Sequence, residues 1–285
     1  MKLQTVVDIP ASPWKIGYED RILMVGSCFS DEIGEQMKQR YLSVTCNPFG
    51  TLYNPLSIAN AINYKSEILN HQSPIPLIFN EGLWHSMAHH GAFSRPTREE
   101  AEAAVLASVE AMQQALDEAT VVIVTFGTAW GYEMNGEVVG NCHKLPADRF
   151  TRRRLTVDEI VAAWQPIVER YSDKHWLFTV SPIRHIKDGL HENQLSKATL
   201  LQAVEALVKY ENVEMGKCQY FPSYEIVLDE LRDYRFYADD LVHPSSMAVQ
   251  YIWERFVDTF CTNPTKNELV LQHKRWKHEH HIPLH

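Results

Sequence analysis

The stretch ATVVIVTFG, residues 119–127, is the feature that most limits the folds open to this chain. It is an unbroken run of apolar, mostly β-branched residues that ends in glycine, which is typical of a strand buried on both faces. Such a strand needs a covering layer on each face of its sheet. The run therefore favours a parallel sheet with helices on both sides.

Strand-like and helix-like segments alternate along the chain, which is the pattern of an α/β protein. Further strands are predicted at 21–26, 42–46, 175–182 and 213–220, and helices near 31–41, 55–69, 97–117, 156–172, 193–210 and 245–261. Thr97 followed by Glu100 is a capping-box pattern, and Asn135-Gly136 predicts a β-hairpin within 130–141 after the third strand. We expect one domain over 1–262, with a mostly parallel sheet of about five strands, and a polar, His-rich helical tail over 263–285.

The charge balance argues against binding to nucleic acid or to anionic membranes, since both need clustered basic residues. The chain has 27 Lys+Arg against 36 Asp+Glu, a formal net charge of −9. The short basic stretches 152–154 and 274–275 are interpreted as solvated surface. The N-terminus lacks a sustained apolar h-region, and no apolar run approaches membrane-spanning length. We therefore expect a soluble, cytoplasmic protein.

The cysteines and histidines do not predict a metal site. The five cysteines, at 28, 46, 142, 218 and 261, are widely spaced and include no CxxC pair, so neither a disulfide framework nor a structural zinc site is indicated. The histidines of WHSMAHHGAF (84–93) and of the tail also lack a recognised zinc spacing. We expect neither a metal nor a cofactor.

Gly26-Ser27-Cys28 lies where the first predicted strand gives way to the first helix. In open α/β sheets, ligands bind at the carboxyl ends of strands, and a helix N-terminus favours developing negative charge. Ser27 is therefore a candidate nucleophile, although such a junction is more often only a helix cap and lacks the GxSxG elbow. A serine also needs a base within hydrogen-bond reach.

The segment YADDLVHPSSMA, residues 237–248, offers that base. Asp240 precedes His243 by three residues, so its carboxylate can accept a hydrogen bond from one imidazole nitrogen and leave the other as a proton acceptor. The alternative interpretation is a surface loop with a capping aspartate.

Taken together, these two ends resemble the SGNH (GDSL-like) hydrolases, in which a Gly-Asp/Asn-Ser-like turn follows strand one and Asp-x-x-His precedes the last helix. The chain is more closely similar to the GSCFA branch, named for a motif like that at 26–29. Similar stretches occur in order at NPFGTLYNP (47–55), TFGTAWGY (125–132), GNCHKLP (140–146), SPIRHIKDGLHENQLSK (181–197) and YFPSYEIVLDELRDYRFYADDLVHPS (220–245). The resemblance covers most of 20–260 and implies a flavodoxin-like three-layer α/β/α fold and acyl-ester chemistry.

In the mechanism that the resemblance implies, Ser27 attacks the ester, His243 takes its proton and Asp240 orients His243. Cys28 is intrinsically the stronger nucleophile when ionised. Neighbouring side chains diverge, however, so only one of the two can face the pocket. By analogy with the family we expect Ser27 there, and Cys28 as a small buried packing residue.

The resemblance also implies an oxyanion hole with up to three donors. The Ser27 N–H is the first, and Gly50, after the second strand, is the second. The Gly-x-x-Asn of the superfamily aligns so that Trp130 stands where Asn is expected. Asn141 or His143, returning from the hairpin, could supply the third donor, or the hole has two.

Three further residues are candidates for lining the pocket. Arg184 follows the fourth strand and could pair with an anionic substrate group, or with an acid that holds a loop. His90 precedes Gly91 in a predicted turn and could face the cleft. Trp130 could line a sugar or acyl pocket, although aromatic residues are more often core.

We expect an SGNH-type serine esterase that removes an acyl group, acetyl among the candidates, from a carbohydrate or other small ester. Two alternatives stay open. The same acyl-enzyme could transfer its acyl group to an alcohol, or the chain could be a non-catalytic ligand-binding module, which Trp130 at the expected Asn position would favour.

Overall fold

The computed structural model describes residues 4–64, 74–210 and 212–280. In chain order these form β1 (Arg21–Gly26), α1 (Cys28–Lys38), β2 (Ser43–Cys46), α2 (Pro55–Ile62), β3 (Leu77–Asn80), β4 (Leu83–Ser86), α3 (Arg98–Glu118), β5 (Val121–Phe126), β6 (Trp130–Met134), β7 (Glu137–Val139), β8 (Thr151–Arg154), α4 (Val157–Arg170), β9 (His175–Val180), α5 (Leu190–Val208), β10 (Cys218–Phe221), α6 (Ser223–Glu225, continued by a π-helical turn over Ile226–Glu230), α7 (Ser246–Phe260) and α8 (Asn263–Glu279).

Five strands form one fully parallel sheet in the order β10-β9-β5-β1-β2. Counted along the chain, this is the flavodoxin-like order 2-1-3-4-5, in which the strand order reverses next to the first strand. The predicted flavodoxin-like fold is therefore confirmed. Ligand sites in such sheets lie at the carboxyl ends of the strands where the order reverses. Here that place is the end of β1, at Gly26, and the end of β5, at Phe126.

Side chains of the central strands alternate between two buried layers, because successive residues of a strand point to opposite faces. Leu23, Val25, Val122 and Val124 lie in the layer covered by α2, α3, α4 and α5. Their neighbours Ile22, Met24, Val121 and Ile123 lie in the layer covered by α1 and α7. Burial on both faces explains why these strands are continuous apolar runs, and it confirms the three-layer α/β/α arrangement.

Two small antiparallel sheets lie outside the main sheet. The predicted hairpin is β6–β7, and its turn residues Asn135 and Gly136 have φ of 54° and 83°; a type I′ turn needs positive φ at both. The β3–β4 hairpin, which turns at Glu81-Gly82, was not predicted. The basic stretch 152–154, interpreted above as solvated surface, lies in β8, paired with β6, and its residues Arg152 and Arg154 are exposed. Arg153 there is neutralised by Glu133 and Glu159, 2.6 and 2.7 Å away.

The helix boundaries differ from the prediction mainly at their ends. The helix expected over 55–69 is α2, which ends at Ile62, and residues 65–69 lie outside the described ranges. The first helix begins at residue 28 rather than near 31. In the tail, α8 packs Leu269 into the layer that holds α7. None of the helices in the described part of the chain has the length and apolarity that crossing a bilayer requires.

Candidate active site

The turn before α7 brings a carboxylate onto an imidazole. His243 Nδ1 lies 2.6 Å from Asp240 Oδ2, and Asp240 Oδ1 accepts the backbone N–H groups of Val242 and His243 at 2.9 and 3.0 Å. The hydrogen bonds from the His243 backbone, the His243 ring and the Val242 backbone lower the pKa of Asp240 to about 2. Asp240 is therefore ionised at neutral pH, and its Oδ2 accepts a hydrogen bond from Nδ1–H, which leaves Nε2 as an acceptor.

Backbone hydrogen bonds fix this turn on both sides. The Ala238 N–H donates to the His243 carbonyl at 2.8 Å, and the Ser245 hydroxyl caps α7. Arg184, which follows β9, donates from its backbone N–H to the Val242 carbonyl and from its guanidinium to the Leu241 carbonyl, both at 3.1 Å. The loop that carries the His243 imidazole is thus stabilised by its own hydrogen bonds and by those of Arg184, which follows the sheet strand β9.

The free imidazole nitrogen faces Cys28. His243 Nε2 lies 3.9 Å from Cys28 Sγ, which is the range of a hydrogen bond to sulfur. Cys28 is the first residue of α1, so its own N–H and that of Phe29 are helix N-terminal donors without an intrahelical partner. Burial raises the pKa of the Cys28 thiol, and these two N–H groups offset part of that rise. The resting group is therefore a thiol whose proton His243 can accept.

The structure brings Cys28, and not Ser27, into hydrogen-bond range of His243, so it does not bring together the expected Ser27–His243 pair. It precedes α1 with extended backbone angles, φ −69° and ψ 170°, and its residue is 1% exposed. Its side chain lies against Gly127, where an added Cβ would come within 3.3 Å of the Ser27 Cβ. In the described part of the chain its Oγ has no hydrogen-bond partner, and its N–H donates to the Thr125 carbonyl at 3.2 Å. That N–H is thus not free as the first oxyanion donor.

Gly50 does not supply the second expected donor either, because its N–H already donates to the Asn47 carbonyl at 2.7 Å. Position 50 requires glycine for two reasons. Its φ is +75°, and a Cβ added there would lie 2.3 Å from the His90 Cβ. His90 itself accepts the Ala92 N–H at 3.2 Å and caps a short turn. Gly50 and His90 therefore stabilise the backbone turns in which they lie.

Asn141 and His143 form part of a separate buried cluster beside the β3–β4 hairpin. Asn141 Oδ1 accepts the His143 N–H at 2.9 Å, and His143 Nε2 bonds the Ser86 carbonyl at 2.8 Å. The His143 ring stacks on His85 with centroids 4.5 Å apart, and burial lowers the pKa of His143. The Nε2–H of His143 is therefore engaged, whereas the Asn141 contact uses only the amide oxygen and leaves its Nδ2 donor out of these bonds.

Trp130 begins β6 just beyond the carboxyl end of β5, at the position where Asn was expected. Its Nε1–H is buried and has no acceptor among the residues described. An indole N–H can only donate. The guanidinium of Arg152 lies 4.1 Å above the ring. The position thus keeps an unused hydrogen-bond donor, although of another chemical type.

Two further groups lie near these residues, and one of them, Lys197, was not predicted. Lys197 of α5 is 1% exposed and donates from Nζ to the carbonyls of Gly127 and Ser181, each at 2.7 Å, so it ties together the ends of β5 and β9. Burial lowers its pKa to about 7. Burial and the charge of Lys197 lower the pKa of His185 to about 4, so that ring is neutral. The polar residues on the buried face of α5, with Asn193 beside Lys197, are the sequence signal that could have indicated them.

The residues described contain no group of three or more His, Cys, Asp or Glu side chains arranged to hold a metal ion.

The model of the GSCFA family matches residues 21–256. The match runs from the start of β1 into α7 and includes the thiol, imidazole and carboxylate described above. Among curated proteins, none matches this chain.

Proposed function

Because the chain belongs to the GSCFA family, we propose that it is an acyl-ester hydrolase that acts through Cys28, His243 and Asp240. The observation that carries the proposal is the 3.9 Å approach of His243 Nε2 to Cys28 Sγ, on the ring whose Nδ1 is held by Asp240. A nucleophile, a base and a group that orients the base are the parts that covalent acyl transfer needs. The proposed mechanism is the one that the resemblance to SGNH hydrolases implies, with cysteine in place of serine as the nucleophile.

The reaction proceeds in two halves. His243 Nε2 takes the thiol proton as Cys28 Sγ attacks the ester carbonyl, and the imidazolium then gives that proton to the departing alcohol, leaving a thioester. Water attacks the thioester while His243 again accepts a proton, which returns to the sulfur as the carboxylic acid leaves. The ionised Asp240 stabilises the imidazolium in both halves.

The negative charge on the tetrahedral oxygen needs donors that are already in place. The N–H groups of Cys28 and Phe29 lie at the nucleophile, at the positive end of α1. The unused Nε1–H of Trp130 is the third candidate. The substrate we propose is an O-acyl group, acetyl among them, on a carbohydrate or another small ester.

Hydrolysis of p-nitrophenyl acetate by matched variants tests the assignment. We expect Cys28→Ala and His243→Gln to lower kcat/KM by about 10³-fold or more. Ser27→Ala is the matched control, and we expect it to stay within a few-fold of wild type because its Oγ bonds nothing in the described structure. Equal losses in Ser27→Ala and Cys28→Ala would remove the case for cysteine. Equal rates in wild type and Cys28→Ala would refute covalent catalysis at this thiol.

Alkylation by iodoacetamide, followed by mass spectrometry, tests the state of the thiol. Since burial raises the pKa of Cys28, we expect its labelling rate to rise with pH through a midpoint above that of a free cysteine. Cys142, also partly buried, is the comparison within the same chain. If the ester acetylates Cys28, and an added alcohol removes the acetyl group faster than water does, the acyltransferase alternative is favoured. Ester binding without acetylation would favour the non-catalytic module.

A further inference from the structure

A pocket of about 280 Å³ lies beside the loop that carries His243. Its walls come from the segment after β9, the first turn of α5, α6 with its π-helical turn, and the chain that leads to Tyr237. Apolar and aromatic side chains predominate, among them Val227, Leu231, Tyr224 and Tyr234. The volume is at the small end for ligand pockets and suits one ring rather than a long chain.

The pocket shares a wall with the catalytic loop. Arg184 lines the pocket and bonds the carbonyls of Leu241 and Val242, directly before His243. Tyr237 also lines it and forms a β-bridge with Pro244, directly after His243. In acyl transfer the imidazolium gives its proton to the departing alcohol, so the alcohol part of the substrate lies on the His243 side. The pocket is therefore placed to receive the alcohol rather than the acyl group.

The guanidinium of Arg184 is held at this wall with donors to spare. It lies 5.8 and 5.3 Å from the ring centroids of Tyr234 and Tyr237, and among the residues described it donates one hydrogen bond, to the Leu241 carbonyl. A guanidinium has further N–H groups in a planar fork that matches a carboxylate. The two rings and the carbonyl thus orient the group without neutralising its charge.

The pocket has more positive than negative charge available to a ligand. Arg184 and Arg232 both line it, and neither forms an ion pair within the ranges that the structure describes. Asp233 also lines it, but its carboxylate is bound to Arg235 at 3.0 Å. This local excess stands against a chain with a net charge of −9.

We propose that this pocket binds the alcohol part of the substrate, and that this part is a ring bearing an anionic oxygen group such as a carboxylate. Tyrosine rings and aliphatic side chains pack on the ring, and Arg184 binds the anion through charge-assisted hydrogen bonds. The inference rests on the proposed hydrolase and specifies its substrate class, which is an O-acylated acidic ring compound, for example an acidic sugar.

The test compares para-acetoxybenzoate with its uncharged methyl ester, which has the same ring and acyl group. A hydrogen bond to a charged group contributes about 1.5–3 kcal/mol, so we expect wild type to prefer the anion by about 10- to 150-fold in kcat/KM. Arg184→Met should lose that preference, whereas Arg170→Met, an exposed arginine on α4, should keep it. The preference is a ratio, so partial misfolding of a variant does not change it. No preference in wild type, or an undiminished one in Arg184→Met, would overturn the inference.

Failure of the hydrolase itself gives a different result. In that case wild type turns over neither ester, and calorimetric binding of para-hydroxybenzoate to the Cys28→Ala protein decides about the pocket. Binding that weakens at least about tenfold on adding Arg184→Met would support the anion site. Absence of binding, or equal binding with and without Arg184, would reject it.

Discussion

The buried imidazole of His89 makes the stability of this fold depend on pH. The residue is 0% exposed, and its ring stacks on Phe49 with centroids 4.1 Å apart. Ser108 Oγ donates to the Val105 carbonyl, so it accepts the Nε2–H of His89 at 2.7 Å. Nδ1 is then left to accept the Ser86 hydroxyl, also at 2.7 Å. A second proton on the ring would break this arrangement and bury a charge.

Burial, with a smaller contribution from His143, lowers the pKa of His89 from 6.5 to about 3. In the unfolded chain the ring titrates near its ordinary value, so below about pH 6.5 the unfolded state binds a proton that the folded state does not. The free energy of unfolding therefore falls by up to about 1.4 kcal/mol for each pH unit below 6.5, and by about 4 to 5 kcal/mol at pH 3. The penalty is absent above pH 6.5 and complete below pH 3. It is a large part of the roughly 5–15 kcal/mol that stabilises a typical domain.

Urea unfolding between about pH 7.5 and 4.5, followed by tryptophan fluorescence, measures this slope. The informative variant is His89→Gln, whose amide can bond both serines but does not titrate. We expect it to be less stable than wild type at pH 7.5 and to lose less stability as the pH falls. His191→Gln, at an exposed position on α5, should keep the wild-type slope. Equal slopes in wild type and His89→Gln would refute the argument.

Three further substitutions test the site and the turn at the end of β1. Trp130→Phe removes the unused N–H and keeps an aromatic ring. We therefore expect kcat toward p-nitrophenyl acetate to fall about 10²–10³-fold with little change in KM. An unchanged kcat would show that Trp130 is not an oxyanion donor and only lines the pocket. Gly26→Ala would place a Cβ 2.1 Å from the Thr125 carbonyl oxygen at φ +135°, so we expect no soluble folded protein. Gly136→Ala is the control: with φ +83° and no neighbour within 4 Å, it should lower the free energy of unfolding by only about 1–2 kcal/mol, measured as a lower Tm. A Gly26→Ala protein with the circular dichroism spectrum of wild type would contradict the steric argument.

The parts of the fold that could be predicted from the sequence depend on interactions among near neighbours. The capping box of Thr97 and Glu100 is present at the start of α3, and Asn135-Gly136 turns β6 into β7. The apolar run of β5 is buried at every position because helices cover both faces of its sheet. In each case a few consecutive residues contain the physical cause, so the pattern is enough.

The choice between Ser27 and Cys28 could not be made in this way, because it depends on where α1 begins. The predicted start near residue 31 left the orientation of both side chains to analogy. With the helix beginning at Cys28, residue 27 keeps an extended backbone and turns its side chain onto Gly127, while residue 28 faces His243. The end of a helix is set by tertiary contacts as well as by its cap, so the sequence pattern alone does not determine it.

Several of the expected oxyanion donors are already engaged in other hydrogen bonds, for a related reason. The sequence identifies groups that can donate but not whether they are already bonded. The N–H groups of Ser27 and Gly50 are used by the carbonyls of Thr125 and Asn47. The Nε2–H of His143 is used by the Ser86 carbonyl, whereas Asn141 accepts through Oδ1 and keeps its Nδ2 donor out of that bond. Whether a donor is engaged or free depends on which acceptor the folded chain brings beside it.

The contact between Cys28 and His243 joins residues 215 positions apart, and one core layer holds it together. Phe29 and Ile33 of α1 and Ile252 of α7 lie in the same buried layer, on the same face of the sheet. Cys28 begins α1 and His243 lies just before α7, so the packing of these two helices also sets the distance between sulfur and imidazole. A cavity in this layer would therefore lower stability and also move the base relative to the nucleophile, because a close-packed interior transmits small shifts. Stability and the proposed catalysis at this site thus depend on the same side chains.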